Sequence, residues 1–502
     1  MGFKDLREWL DKLESGGELK RIKAQVDWDK EIGAITHMAW RRGFSNLLFE
    51  NIKDYQATRC RRLLVMSIGN PRQIAMMFGL PEDTHPRDLV TAFRERTKNR
   101  IKPVMVASGQ VKENILKGDD ICLYDFPVPV WHRLDGGRYI NTLGGVVTRD
   151  PENGIMNVGI YRGMIVDKNR IAQTIVPSQH IGQHLAKYGE MGKEMPIAVI
   201  YGWDPTLTLV ASAKIPKDVC EYDVIGSIRQ EPVELVKCQT SDLEVPASAE
   251  IVVEGFVSPD TETYDWEGPF GEYTGYYGSE RSKSPVIRVE CISHRNDPIY
   301  IGTLSGVRLG LPSRTAAAIN ITSTAMVWDV VERAGIPGLL DVRFLPPSLE
   351  TSVVLKIHKT YRGQGKQIAC TLIGSDLPVT SCKNIMVVDD DIDIYDFDSL
   401  VWAFDYRVNP MENDLVVLPD MPGSVLDPSI PLGKKDFVRY GGGAENRIII
   451  DATKNWGYGR REEWGNEFYP PVCFELSEEE KEMVEKRWKE YGIEYNELNA
   501  GE

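Results

Sequence analysis

No apolar stretch of this 502-residue chain approaches the roughly 20 residues that cross a bilayer, which excludes a helical membrane span. Clustered Lys and Arg are missing too. Arg41-Arg42, Arg61-Arg62 and Arg460-Arg461 are short pairs in a chain of formal net charge −15. Binding along a phosphate backbone needs dense positive charge, so a dominant nucleic-acid role is excluded. Cysteines 60, 122, 220, 238, 291, 370, 382 and 473 include no CxxC pair. That removes zinc clusters and redox dithiols, and predicts buried, reduced thiols. The charged opening Met1-Gly2-Phe3-Lys4-Asp5-Leu6-Arg7 lacks the apolar core of a signal peptide, and together with the cysteine pattern it predicts a cytoplasmic protein. Gly441-Gly442-Gly443 has no GxGxxG or P-loop context, and Asp389-Asp390-Asp391 lacks the downstream Gly and Glu of a calcium loop. Repeats and low-complexity tracts are absent as well.

What is present reads as a multi-domain α/β enzyme. A hydrophobic fraction of 42% with 26% charged residues is ordinary for a soluble globular protein, and the length implies two or three domains. Leu6, Trp9, Leu10 and Leu13 recur at helical spacing over 4–17 until Ser15-Gly16-Gly17. A second helix after Asp29 places Ile32, Ile35, Met38 and Ala39 on one face. Short apolar runs follow at Leu63–Val65 and Pro103–Val106. From about 110 to 305 the texture is β-rich: Gly144–Val147, Met156–Val166, Ile197–Tyr201, Leu207–Ala211, Ala249–Val257, Val286–Ser293 and Ile299–Thr303. Short strands at this density predict a barrel or sandwich, with a hairpin or tight turn at Asn296-Asp297-Pro298. Helix and strand alternate again over Arg314–Gly335, Ser352–His358 and Asn384–Val388. Ser477 ahead of Glu478-Glu479-Glu480 signals the start of a final amphipathic helix, Ser477–Tyr491.

The chemistry concentrates in a few segments. Trp266-Glu267-Gly268-Pro269-Phe270-Gly271-Glu272 sets two carboxylates five residues apart around a Gly-Pro-Phe-Gly turn. Two acids held beside apolar residues repel and lose solvation, which drives one toward proton-donor range. Asn157-Val158-Gly159-Ile160-Tyr161-Arg162 puts an amide inside an apolar strand, where it needs a partner. Gln179-His180 and Glu221 supply an imidazole and a carboxylate. With the Asn157 amide they form an oxygen/nitrogen set that suits Mn²⁺ or Mg²⁺ better than structural zinc. Arg162 is a natural bidentate partner for a carboxylate, of a glutamate or of a substrate. Lys383 is placed to reach a phosphate. Each residue also has an ordinary reading: a satisfied amide, a core histidine, a salt bridge, a solvated lysine.

Taken jointly, Asn157…Tyr161-Arg162, Gln179-His180, Glu221-Tyr222-Asp223…Gly226, Glu267…Glu272 and Lys383-Asn384…Val388-Asp389 resemble the UbiD family of prenylated-FMN-dependent (de)carboxylases, in the same order over nearly the full chain. The resemblance implies an N-terminal α/β domain (1–108), a central split β-barrel holding prenylated FMN (109–310), a C-terminal α/β domain (311–465) and a C-terminal oligomerisation helix and tail (466–502). It implies Mn²⁺ and K⁺ at the cofactor phosphate on Asn157, His180 and Glu221. Cofactor contacts fall on Asn157, Val158, Gly159, Ile160, Tyr161, Arg162, Gln179, His180 and Lys383. Glu267, Arg162 and Glu272 match the catalytic Glu-Arg-Glu network, with Glu272 as proton donor. The implied activity is reversible, non-oxidative decarboxylation of an aromatic, heteroaromatic or α,β-unsaturated acid through a covalent substrate–cofactor adduct. A flavin prenyltransferase would supply the cofactor, and the terminal helix would cross an interface of a homodimer or homohexamer. Gln239 departs from relatives with an acid there, and Trp266 departs from the gallate-type branch. The competing readings are an FMN-dependent reductase and a non-catalytic partner subunit of a multicomponent carboxylase.

Overall fold

The computed structural model describes residues 2–66, 68–278, 280–306, 316–375, 377, 381–412, 414–436, 442–473 and 476–492. Two compact units are distinguished, Met1–Ala452 and Thr453–Glu502. The larger unit is a mixed α+β assembly around three principal sheets.

The first helix, Leu6–Ser15, forms where the spacing places it. Asp5 caps it by accepting from the amides of Arg7 and Glu8, and Leu6, Trp9, Leu10 and Leu13 are buried. The second, Glu31–Arg41, buries Ile32, Gly33, Thr36 and Trp40, while Met38 is exposed. Its inward face follows the 32-36-40 stripe, because Trp40 is the largest apolar group available. The four-stranded N-terminal sheet is completed by Ile299–Gly302, which pairs in parallel with Arg62–Val65. One hydrophobic core therefore runs from Leu6 to Leu304, across the expected boundary at 108. The expected boundary at 310 and the helix start at Arg314 lie outside the described residues. The helix itself is described over Ala316–Arg333.

The central sheet has nine antiparallel strands in a nearly closed, barrel-like arrangement. Eight of them run in a path from Tyr139–Asn141 through Gly163–Asp167, Arg170–Gln173, Val286–His294, Ile251–Val257, Met195–Tyr201 and Gly145–Arg149 to Met156–Gly159, and the ninth, Asn114–Lys117, pairs off this path with Val286–His294. Its two ends are unpaired with each other. The chain nevertheless steps from the last strand to the second in three residues, Ile160-Tyr161-Arg162. Four residue steps of extended chain span at most about 14 Å, so the ends face one another across a narrow seam. Met156–Val166 is thus two strands broken at this corner rather than one.

Two further expectations change. Leu207–Ala211 is helical, as Thr206–Ala211. Asp204 accepts from the Thr206 amide at 2.7 Å and starts the turn, and every residue of the run is buried, so periodicity could not separate strand from helix. Asn296-Asp297-Pro298 is a tight turn, but it joins strands of different sheets rather than a hairpin. All eight cysteines are free. Cys370 and Cys473 are exposed rather than buried.

The C-terminal sheet orders Leu339–Phe344, Ser352–Ile357, Asn384–Asp389, Gly442–Ala452 and Leu415–Gly423, with the middle three parallel. In the smaller unit, the helix Glu478–Arg487 has the expected capping box between Ser477 and Glu480 and no buried residue. No helix among the described residues is long and apolar enough to cross a membrane.

Candidate active site

The seam is where the chemistry-bearing residues meet. In the strand Met156–Gly159, Met156 and Val158 face a hydrophobic core. Alternation turns Asn157 to the other side. There its Oδ1 lies 3.1 Å from His180 Nδ1, and its Nδ2 donates to the Tyr161 hydroxyl at 3.3 Å. A Cβ on Gly159 would lie 2.6 Å from the Tyr161 ring, so only glycine lets that ring fold back. His180 opens the helix His180–Glu190, after Gln179 as N-cap. Burial holds its imidazole below the usual range, and Lys214 and Lys217 add to the effect. The depressed value favours the neutral ring, which in the tautomer with Nδ1 unprotonated presents a lone pair to a cation beside the Asn157 oxygen. Glu221 opens the helix Glu221–Arg229 and is 4% exposed. Its Oε2 accepts from the Val158 amide at 2.8 Å, and burial pushes its carboxyl up to about 8.

Arg162 stands at the end of the corner. Gln173, fully buried, pins the corner by donating to the carbonyls of Tyr161 (3.1 Å) and Arg162 (2.9 Å). The guanidinium then spans two carboxylates. Nε and Nη2 grip Glu267 at 3.0 and 2.9 Å, Nη1 donates to Glu272, and Nε also reaches Thr174 Oγ1 at 3.1 Å. Burial disfavours the charge, but Glu272 and Glu267 outweigh it and leave Arg162 above its ordinary range. Glu267 ends the strand Asp265–Glu267 and is 1% exposed. Glu272 is 6% exposed, and burial pushes its carboxyl up against the pull of Arg162.

The turn between the two glutamates is held from the opposite side. Gly136 donates to the Pro269 carbonyl at 2.8 Å, and Gly271 donates to Asp135 Oδ1 at 2.9 Å. A Cβ on Gly136 would lie 1.9 Å from the Gly268 carbonyl oxygen, so the approach requires glycine. Tyr139, Thr174, Gln173 and Asp135 had not been singled out in the sequence. Tyr139 and Gln173 sit in short apolar strands and Thr174 just after one, with a polar group in an apolar context as the signal, whereas Asp135 lies in a Gly-rich turn that gives none. Lys383 is committed elsewhere: its ammonium donates to Asp427 and, at 2.8 Å, to Ser429.

Models of three UbiD (3-octaprenyl-4-hydroxybenzoate carboxy-lyase) domains match in chain order: the N-terminal domain over 10–93, the Rift-related domain over 102–308 and the C-terminal domain over 317–452. The chain belongs to the UbiD family. Like that family, it is a carboxy-lyase. An uncharacterized protein of Aquifex aeolicus is 34% identical over 98% of this chain and all of its own length. The UbiD-class enzyme HmfF from Pelotomaculum thermopropionicum, solved in complex with FMN, is 29% identical. That match has a TM-score of 0.79 and covers 94% of this chain and 97% of that one. The closed form of Sedimentibacter hydroxybenzoicus vanillic acid decarboxylase is 27% identical with a TM-score of 0.84, covering 98% and 100%.

Read as a UbiD-family site, the residues fit a metal-anchored flavin phosphate. A neutral imidazole and an amide oxygen 3.1 Å apart are spaced to share one cation. Glu221 is a buried carboxyl that would bind a cation as the carboxylate, Lys214 and Lys217 add positive field at His180, and a helix N-terminus favours an anion. Among the described residues no three His, Cys, Asp or Glu side chains gather as a metal-holding group; this set contains an amide instead.

Proposed function

We propose that this chain is a reversible non-oxidative decarboxylase of an aromatic, heteroaromatic or α,β-unsaturated carboxylic acid that works with prenylated FMN. The supporting observation is one guanidinium, Arg162, shared by two buried carboxyls, Glu267 and Glu272, beside the Asn157–His180 pair. Prenylated FMN, when bound, supplies the electron sink that cleavage of a carboxylate from an sp² carbon needs. Asn157, His180 and Glu221 would hold it through Mn²⁺, with K⁺ beside the phosphate. Residues Asn157 to Arg162, with Gln179 and His180, would contact it, and Lys383 would join once released from Asp427.

Arg162 keeps the glutamate pair in register and orients the substrate carboxylate. When the carbon–carboxylate bond breaks, CO₂ leaves and the bonding electrons stay on carbon. Glu272, whose burial favours the protonated form, gives its proton to that carbon, and in carboxylation it takes the proton back. Burial of Glu267 and Glu272 limits the access of water to this step. A homo-oligomer in the cytoplasm, with cofactor from a flavin prenyltransferase, completes the reading.

The test is reconstitution with prenylated FMN, then a screen of aromatic, heteroaromatic and acrylic acids for CO₂ release or carboxyl-directed H/D exchange. Turnover with prenylated FMN and none with plain FMN is expected. Nicotinamide oxidation supported by plain FMN, without CO₂ release, would replace this reading with the reductase. No activity of either kind from the reconstituted chain would favour a partner subunit.

A further inference from the structure

Glu267 and Glu272 share one guanidinium, yet their surroundings are unequal. Glu267 accepts from three groups: Arg162 Nε, Arg162 Nη2 and the Tyr139 hydroxyl, the last at 2.6 Å. Among the described residues Glu272 has one side-chain donor, Arg162 Nη1, and the backbone amide of Tyr273, two donors against three. Tyr139 begins the terminal strand of the barrel-like sheet and is fully buried. Its ring lies 4.3 Å from that of Phe270, whose ring in turn lies 5.5 Å from the Arg162 guanidinium. Its own carbonyl is held by the Trp131 indole at 3.1 Å. The hydroxyl is thus aimed by side-chain packing and by backbone.

A buried phenol needs an acceptor. The Pro269 carbonyl is available at 3.3 Å, but the 2.6 Å contact is to Glu267 Oε1 and has the length of a charge-assisted O–H···O⁻ bond. We propose that Tyr139 is a positioning residue that keeps Glu267 ionised and turned toward Arg162, leaving the exchangeable proton of the pair on Glu272. Among the described residues the groups acting on Glu272 are Arg162, Glu267 and the neighbouring Tyr273, with Tyr139 behind Glu267. Burial pushes the Tyr139 and Tyr273 phenols far above their ordinary range, and Arg162 stays charged. Which of the two carboxyls holds the proton follows from the number of donors on each.

This assignment rests on the donor role given to Glu272, and two experiments separate the two. In reconstituted enzyme, Tyr139→Phe removes the third donor from Glu267. The acid limb of the pH–rate profile should move up by about one pH unit, the cost of losing a hydrogen bond to a charged group. kcat should fall about tenfold with little change in KM, since the group acts on proton placement rather than on binding. Replacing Tyr139 with 3-fluorotyrosine, a more acidic phenol of nearly the same shape, should move the limb down. A profile that keeps its shape and only scales would overturn the proposal, because a purely packing role changes rate without moving a limb. Without cofactor or substrate, the ¹⁹F resonance of the fluorotyrosine protein should shift as acid protonates the pair. That shift should disappear in Glu267→Gln. A resonance that ignores pH, or that follows Glu272 instead, also overturns it. If the ¹⁹F response is seen but the native enzyme turns over no acid, the decarboxylase reading fails and the Tyr139 assignment stands. The near-isosteric fluorotyrosine keeps the test open if the Phe variant does not fold.

Discussion

Glu272 carries the residue-scale consequences. Burial raises its carboxyl, so the protonated form is present below its folded-state pKa and lost as pH rises through it. A donor in this position gives a rate that declines on the alkaline side. Glu272→Gln should lower CO₂ release by at least about a hundredfold while flavin still binds, the range of a lost general acid. Flavin absorbance and headspace CO₂ measure the two separately, and retained turnover would remove Glu272 from the donor role. Glu221 offers a stability readout. Its carboxyl rises from 4.5 to about 8 through burial, so the folded, metal-free protein holds a proton that the unfolded chain releases. Stability from this group is full below about 4.5 and is lost as pH rises through about 8, at about 1.4 kcal/mol per pH unit within that window. Glu221→Gln should remove that slope in melts with chelator present. The comparison isolates the carboxylate from His180 and His184, whose burial acts in the opposite direction. Added Mn²⁺ should raise the melting temperature of the native chain and not that of the variant.

At the scale of elements, two helix starts and one corner build the site. His180 is placed by the helix that begins with it, and Gly182 two residues on lets that helix lie against the preceding loop. A Cβ at 182 would sit 2.2 Å from the Val176 carbonyl oxygen, a backbone atom that cannot turn aside. Gly182→Ala should therefore displace the helix start and weaken manganese and flavin binding by about tenfold or more. The 1 Å-scale shift involved has that cost at a positioned site; metal content and flavin titration check it. Some elements were legible because their signals were local, such as the Leu6–Leu13 stripe or the Ser477–Glu480 capping box. Others were not. Leu207–Ala211 is buried all round and gives no period, and the break at Ile160–Arg162 interrupts an otherwise continuous apolar run only because the sheet ends there.

For the whole molecule, the N-terminal and central domains of the family's order share a core, while the C-terminal domain has cores of its own. Ile299–Gly302 completes the N-terminal sheet, and one core joins Leu6 to Leu304. A chain cut to residues 109–502 loses the partner of that strand and more than a third of that core. It should be insoluble or lack the near-ultraviolet circular dichroism of fixed aromatic packing, because exposed core surface and an unpaired strand edge are both costly. A soluble, cooperatively melting fragment would show that the central region folds alone. Arg94 with Asp329 and Glu332, and Arg87 with Asp341, similarly tie the N-terminal helix Pro86–Thr97 to the C-terminal half.

Residue identity and order were enough to name the family and to mark Glu267, Glu272, Arg162, Asn157, His180 and Glu221 as candidates, because chemistry of that kind needs particular functional groups and those are written directly in the chain. The asymmetry between the glutamates was not written there. It depends on Tyr139, more than a hundred residues upstream of them, arriving at the seam of a curved sheet, and on Gln173 pinning the corner that aims Arg162. Strand order and curvature decide which distant polar groups meet, and only the folded chain fixes those.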